Sequence, residues 1–314
     1  MALSLALPAG AAQPAPALRV VFFGDSLVDS GNVYRATRLL GLNPAFPPST
    51  PPYRRYWEGR FSNGPNVADF LAARVCGEFS TASLDVLDRV AQTCAVNFAF
   101  GGATAGFWER SPASALGPGF RAQTELYASA LGSRAGRGAL HVVWVGADDY
   151  LYVSPAPPPQ TVVGNITAGL RDLYELGARR FAVIDLPDLG RVPMAAGTPA
   201  AARMTQLTDA HNRLLEDAVL TLNATLPGID VRLVRVSALA KALGMQPRAG
   251  PAAGCLERFL RLAAACRSLE DVLFYSRHGL PPPQGFFCDE LHPTTEAHRR
   301  VFVLLERTIA APRS

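Results

Sequence analysis

Short apolar runs, each closed by glycine, aspartate or a turn, punctuate this chain. Val20-Val-Phe-Phe23 has no period-two alternation. It reads as a strand buried on both faces, as in a parallel sheet covered by helices. Ala95-Val-Asn-Phe-Ala-Phe100, Leu140-His-Val-Val-Trp-Val145 and Arg180-Phe-Ala-Val-Ile184 repeat the pattern, and Val231-Arg-Leu-Val-Arg-Val236 alternates as a half-exposed strand does. Helical segments are predicted between them, over 33–40, 66–75, 162–176 and 199–222. The last carries Leu207, Leu214, Leu215, Val219 and Leu222 at helical spacing. Strands alternating with helices predict an α/β chain whose parallel sheet is covered on both sides.

The strand ends carry the candidate chemistry. Gly24 closes the first strand, and Asp25-Ser26 follow where the backbone turns. Open α/β sheets place their ligands at that end of a strand, although Asp and Ser also cap helices there. The second strand runs into Gly101-Gly102, where bare N–H groups can approach a ligand or simply make a turn. The third ends in Gly146-Ala147-Asp148-Asp149, a carboxylate pair with no further metal ligand close in sequence. A Pro-rich loop over 43–52 is followed by Tyr53, Tyr56, Trp57 and Phe61, rings that either line a pocket or pin the loop. His211 reads as structural. Residues 244–287 lack a strand-helix rhythm and read as an irregular excursion of one domain spanning 18–314.

Composition narrows the class. Hydrophobic residues make up 49% of the 314 and charged residues 18%, which suits a folded globular chain. A net charge of +4, dispersed along the sequence, gives no basis for a nucleic-acid partner. No apolar run approaches the roughly 20 residues that span a bilayer. Neither G-x-G-x-x-G at 101–102 nor G-x-x-x-x-G-K-[ST] is met, so nucleotide binding has little support. Residues 1–17 read as a signal-peptide remnant or a disordered arm, with Ala9-Gly10-Ala11 matching a cleavage pattern. The cysteines are Cys76, Cys94, Cys255, Cys266 and Cys288, without the spacing of a zinc site. Two local bridges are expected, Cys76–Cys94 and Cys255–Cys266, with Cys288 left over. The alternative is five reduced thiols packed as small hydrophobes. Together with the leader-like arm, the cysteines favour a secreted or periplasmic protein. Asn165-Ile-Thr167 and Asn223-Ala-Thr225 match the glycosylation pattern, which matters only in a host that glycosylates.

At the other end, Asp289 and His292 lie three apart just before a final helix, in which Pro293 suits the first position and Glu296 the acidic first turn. That spacing lets a carboxylate hold one ring nitrogen while the other faces a pocket, as a general base requires. With Ser26 it supplies nucleophile, base and orienter.

Gly24-Asp25-Ser26-Leu27 and Asp289-Glu-Leu-His292-Pro-Thr together resemble the GDSL, or SGNH, hydrolase family of lipases and esterases. Asp29-Ser-Gly-Asn32, Arg60-Phe-Ser-Asn-Gly64, Asn97-Phe-Ala-Phe-Gly-Gly102 and Trp144-Val-Gly-Ala-Asp-Asp-Tyr150 extend the likeness over about residues 18 to 310. It is greatest to the branch of secreted lysophospholipases, haemolysin-like phospholipases and plant GDSL lipases. The resemblance implies a three-layer, flavodoxin-like α/β/α fold with a five-stranded parallel core, and no metal or organic cofactor. It implies Ser26 as nucleophile, His292 as base and Asp289 as orienter. The oxyanion hole would be the N–H groups of Ser26 and Gly102, with Gly101 second choice, and the side chain at the family's asparagine position, here Asp148. The implied activity is hydrolysis of acyl esters, with contact to lipid surfaces as a further expectation. Acyl transfer from the same acyl-enzyme, or acyl-ligand binding without turnover because residue 148 is aspartate, are the alternatives.

Overall fold

The computed structural model describes residues 18–51, 56–107, 117–131, 138–242, 287 and 289–312. Its centre is a parallel sheet whose interior strands are the apolar runs: β1 (Val20–Gly24), β3 (Ala95–Asn97), β4 (Leu140–Trp144) and β5 (Arg180–Ile184), flanked by β2 (Thr81–Ala82) and β6 (Asp230–Val234) at the edges. The order is β2-β3-β1-β4-β5-β6, every pairing parallel. All residues of β1 and β4 are buried, whereas β6 at the edge is only partly buried: Val231 and Val234 are covered and Arg232 and Leu233 half-exposed, so the alternation expected from its sequence is not kept. The five expected strands are present, and β2 adds a sixth. Two residues carry no periodicity, so no pattern could have announced it.

The helices are α1 (Asn32–Leu39), α2 (Val67–Cys76), α3 (Phe120–Leu131), α4 (Ala147–Leu151), α5 (Pro159–Glu175), α6 (Ala201–Thr225), α7 (Val236–Ala242) and α8 (Thr295–Ala310). α2, α7 and α8 form one layer, with α2 on β1 and β3 and α8 on β6; α3, α5 and α6 form the other. The fold is therefore the three-layer α/β/α arrangement. α3, α4 and α7 were not foreseen. Val236, read as the end of a strand, instead opens α7: the Asp185 carboxylate at the end of β5 accepts from the Ser237 N–H and hydroxyl and turns the chain there. α8 begins at Thr295 and not at Pro293, because Thr294 is the cap, its hydroxyl accepting from the Ala297 N–H.

Cys76 and Cys94 are bridged, tying the end of α2 to the start of β3. The expected Cys255–Cys266 bridge, Cys288, the arm 1–17 and nearly all of the 244–287 excursion lie outside the described residues. Among the described residues no helix is long and apolar enough to cross a membrane, and no cluster of side chains could hold a metal ion.

Candidate active site

The chain leaves β1 to one side, toward β3, and later returns to the other side with β4. This reversal of order opens a crevice at the carboxyl end of β1, where such sheets bind ligands. Ser26 follows β1, Gly102 follows β3 and Asp148 follows β4, so three neighbouring strands deliver three of the expected site residues. Gly24 sits at φ +144°, and a Cβ there would lie 2.0 Å from the Trp144 carbonyl oxygen. Only glycine lets β1 end so close to β4. The Gln123 side chain clamps this turn, accepting from the Gly24 N–H at 2.9 Å and donating to its carbonyl at 2.8 Å.

Asp29 organises the next turn. Its buried carboxylate accepts from the N–H groups of Gly31, Asn32, Val33 and Gly101, at 2.7, 2.7, 3.2 and 3.0 Å. It thereby satisfies the start of α1, which has no other side-chain cap. Asn32 donates to the carbonyls of Asn97 and Ala99, and Asn97 donates back to the Val28 carbonyl. The loops carrying Ser26 and Gly102 are thus one hydrogen-bonded body. Because the Gly101 N–H is spent on Asp29, Gly102 is the better candidate of the two glycines. The N–H groups of Ser26 and Gly102 have no partner among the described residues, and Gly102 turns at φ +84°.

The C-terminal pair arrives from the opposite end of the chain. The His292 Nε2 lies 2.9 Å from the Ser26 Oγ, and its Nδ1 lies 2.7 Å from the Asp289 Oδ2. The other carboxylate oxygen, Oδ1, accepts from the N–H groups of Leu291 and His292. The Arg60-Phe-Ser-Asn-Gly64 segment latches this loop in place. Ser62 donates to the Pro293 carbonyl at 2.9 Å, Asn63 accepts from the Thr295 N–H at 2.8 Å, and Thr295 donates to the Pro65 carbonyl at 2.7 Å. Arg60 is itself locked by a two-pronged pair with buried Asp69. Phe61 packs on the His292 ring at 5.1 Å. The aromatic group divides: Tyr56 and Phe61 flank His292, Trp57 pins its loop against Phe79, and Tyr53 lies outside the described residues.

The electrostatics set the carboxyls apart. Burial acts to raise the Asp289 pKa, but the charge of His292 and hydrogen bonds from His292 and Tyr56 outweigh it and hold Asp289 well below the usual carboxylate range. Asp25 and Asp148 are buried (1% and 2% exposed), and each has an Oδ2 with no hydrogen-bond partner among the described residues. Burial pushes Asp25 up to about 7, and pushes Asp148 well above its ordinary value with help from the charges of Asp25 and Asp149. Asp149 is turned elsewhere, accepting from the Ala105 N–H at 2.9 Å. Both Asp25 and Asp148 border the same crevice as Ser26, whose remaining wall is apolar and includes Trp144, Leu189, Val192, Phe287 and Leu291.

Asp25 also does what the plainer sequence reading allowed, since its Oδ1 accepts from the Leu27 N–H at 3.0 Å, although the cap of α1 proper is Asp29. His211 is buried with its Nδ1 3.0 Å from the Tyr150 hydroxyl, a structural setting as expected. The sequence reading missed Gln123, which sits on a helix without a clear apolar face. It named Tyr56 only as one ring among several.

A hydroxyl, an imidazole and a carboxylate in one hydrogen-bonded line, at the end of a central parallel strand, are the parts of a serine-nucleophile hydrolase centre. Residues 20–305 match the GDSL-like Lipase/Acylhydrolase family model, and the chain belongs to that family. It is 29% identical over 254 residues to a GDSL lipase of Tanacetum cinerariifolium, covering 72% of this chain and 66% of that one. It is 30% identical over 218 residues to the phosphatidylcholine-sterol acyltransferase of Aeromonas hydrophila, covering 67% of this chain and 57% of the relative. The chain thus spans two thirds or less of the length of these relatives. A solved lipolytic protein of the G-D-S-L family from Veillonella parvula shares 12% identity over 93% of this chain and 97% of its own, at a TM-score of 0.45, too loose a match to bear on the site.

Proposed function

We propose that this chain is a secreted serine ester hydrolase acting on acyl esters, among them lipid esters. The observation that carries the reading is the line Ser26–His292–Asp289, with contacts of 2.9 and 2.7 Å. Ser26 Oγ attacks the ester carbonyl while His292 Nε2 takes its proton. The negative oxygen that forms is held by the N–H groups of Ser26 and Gly102 and by the protonated carboxyl of Asp148. His292 returns the proton to the leaving alcohol, an acyl-enzyme remains, and a water activated by His292 releases the acid. No step calls for a metal or an organic cofactor. The apolar wall of Trp144, Leu189, Val192 and Leu291 suits the acyl chain. The Cys76–Cys94 bridge supports an oxidising compartment.

A lipid interface is supported by Leu39, Leu40, Leu42 and Phe46, exposed within eight residues. Phe46 packs on Phe61 at 5.4 Å, and Phe61 on His292. The name of the Aeromonas relative favours a second reading, in which an acceptor alcohol replaces water in the last step.

A p-nitrophenyl ester series of increasing acyl length, run on wild type, Ser26→Ala and His292→Ala, tests the proposal. Each substitution is expected to cost about 10⁶-fold in kcat while the circular dichroism spectrum stays that of wild type. Near wild-type turnover in Ser26→Ala would end the reading. An activity that does not rise when the ester passes from monomers to aggregates would remove the lipid interface. Products with and without an acceptor alcohol separate hydrolysis from transfer, and a covalent serine probe that fails to label Ser26 would leave only an acyl-ligand binder.

A further inference from the structure

The Asp289 carboxylate carries four donors, and one of them comes from neither the histidine nor its own loop. The Tyr56 hydroxyl donates to Asp289 Oδ2 at 2.6 Å, across 233 positions of sequence. This is the same oxygen that takes the His292 Nδ1 at 2.7 Å, while Oδ1 is filled by the N–H groups of Leu291 and His292. The phenol is held there by its own backbone: the Tyr56 N–H donates to the Pro48 carbonyl at 2.9 Å, and the Trp57 N–H to the Ser62 carbonyl at 2.9 Å. Its ring stands edge-on to the His292 ring at 6.4 Å and packs against Phe61 at 6.1 Å. Tyr56 is therefore fixed by packing and by main-chain bonds, with its one polar atom aimed at the acid of the triad.

We infer that Tyr56 is a positioning residue of the triad, its hydroxyl fixing the Asp289 carboxylate and weakening that carboxylate's pull on the histidine proton. The inference rests on the ester-hydrolase reading above. A donor sharing Oδ2 with the imidazole withdraws electron density from that oxygen and occupies a lone pair that would otherwise face His292. It keeps Asp289 ionised and stops the carboxylate from rotating about its last bond. It also limits how strongly Asp289 stabilises the protonated imidazole. Among the described residues the other ionisable groups around the pair are Asp25 after β1, Asp148 after β4, His298 on α8 and, beside Asp289, Glu290 and Tyr152. None is altered by a change at Tyr56, so a shift produced there belongs to the phenol.

The test is Tyr56→Phe, which keeps the ring and removes only the donor, assayed with a short soluble p-nitrophenyl ester across pH beside wild type and Ser26→Ala. The expected result is a roughly ten-fold fall in kcat, the scale of one hydrogen bond to a charged group. With it, the acid limb of the kcat/KM profile moves up by about half a pH unit, and KM and the melting temperature stay near wild type. Installing 3-fluorotyrosine at position 56, a stronger donor in the same place, is expected to move the limb the other way. A merely structural tyrosine would lower activity without moving the limb. An unmoved acid limb in Tyr56→Phe, with or without a loss of kcat, therefore overturns the inference. Failure of the underlying reading looks different: Ser26→Ala would then be as active as wild type.

Discussion

Replacing Asp148 by asparagine is expected to make the enzyme faster at neutral pH, and increasingly so as pH rises. The Asp148 carboxyl is 2% exposed, one of its oxygens has no partner among the described residues, and it borders the Ser26 crevice beside Asp25. Burial first, and the charges of Asp25 and Asp149 after it, hold its pKa well above the ordinary value. While protonated it offers an O–H where the family has an amide N–H. Once ionised it opposes the charge forming on the substrate oxygen. At a separation of about 4 Å and an effective dielectric of about 20 that repulsion is roughly 4 kcal/mol, or about 10³-fold in rate. Loss of the donor removes roughly 2.7–4 kcal/mol more. Asparagine cannot ionise, so the ratio of variant to wild-type kcat should climb with pH. Steady-state rates of both proteins on a short p-nitrophenyl ester, from about pH 5 to pH 9, measure it. Stability gives an independent reading. A carboxyl whose folded pKa is raised stabilises the fold most below its unfolded value, and that contribution is lost as pH rises through the folded one. Wild type should therefore fall behind Asp148→Asn in denaturant unfolding as pH rises. A variant no faster than wild type at any pH would mean that Asp148 does not reach the reacting oxygen. A constant stability gap would mean that it is not held as a buried acid.

Two further outcomes concern the scaffold. Arg60→Ala leaves the Asp69 carboxylate buried without its guanidinium, and breaking such a pair costs about 3–5 kcal/mol; urea unfolding reads it, and a loss below about 1 kcal/mol would refute the role given to the pair. Changing both Cys76 and Cys94 to serine opens a closure with a sequence separation of 18, expected to cost about 3 kcal/mol; thermal unfolding of the double variant, or of wild type under reductant, checks it, and an unchanged midpoint would count against a formed bridge.

The site was legible where chemistry and position coincide in a few residues. Ser26 at the end of an unbroken apolar run, and Asp289 three residues before His292, were each ambiguous alone and gained weight only when read together, and the structure brings the three side chains into one line. Gly102 over Gly101 was a matter of family likeness until the structure supplied a physical reason, the capture of the Gly101 N–H by Asp29. The elements that escaped notice owe their place to tertiary partners. β2 is two residues long, and α7 begins where Asp185 of a distant strand receives Ser237. α3 exists in part to carry Gln123 to the Gly24 turn, a contact across 99 positions that no local pattern contains. Tyr56 belongs to the same class, for its meaning depends on a carboxylate 233 residues away.

The latch between 62–65 and 293–295 bears on when this protein first becomes reactive. Ser26 and His292, the proposed nucleophile and base, are separated by 266 positions, and the loop carrying His292 is seated by hydrogen bonds to the turn at 62–65. A nascent chain displays Ser26 long before His292 has been synthesised, and in that interval the serine is an ordinary alcohol. A proteolytic fragment cut before His292 returns to the same condition. On the proposed mechanism, reactivity toward esters begins only once the segment 289–295 has been made and seated against 62–65.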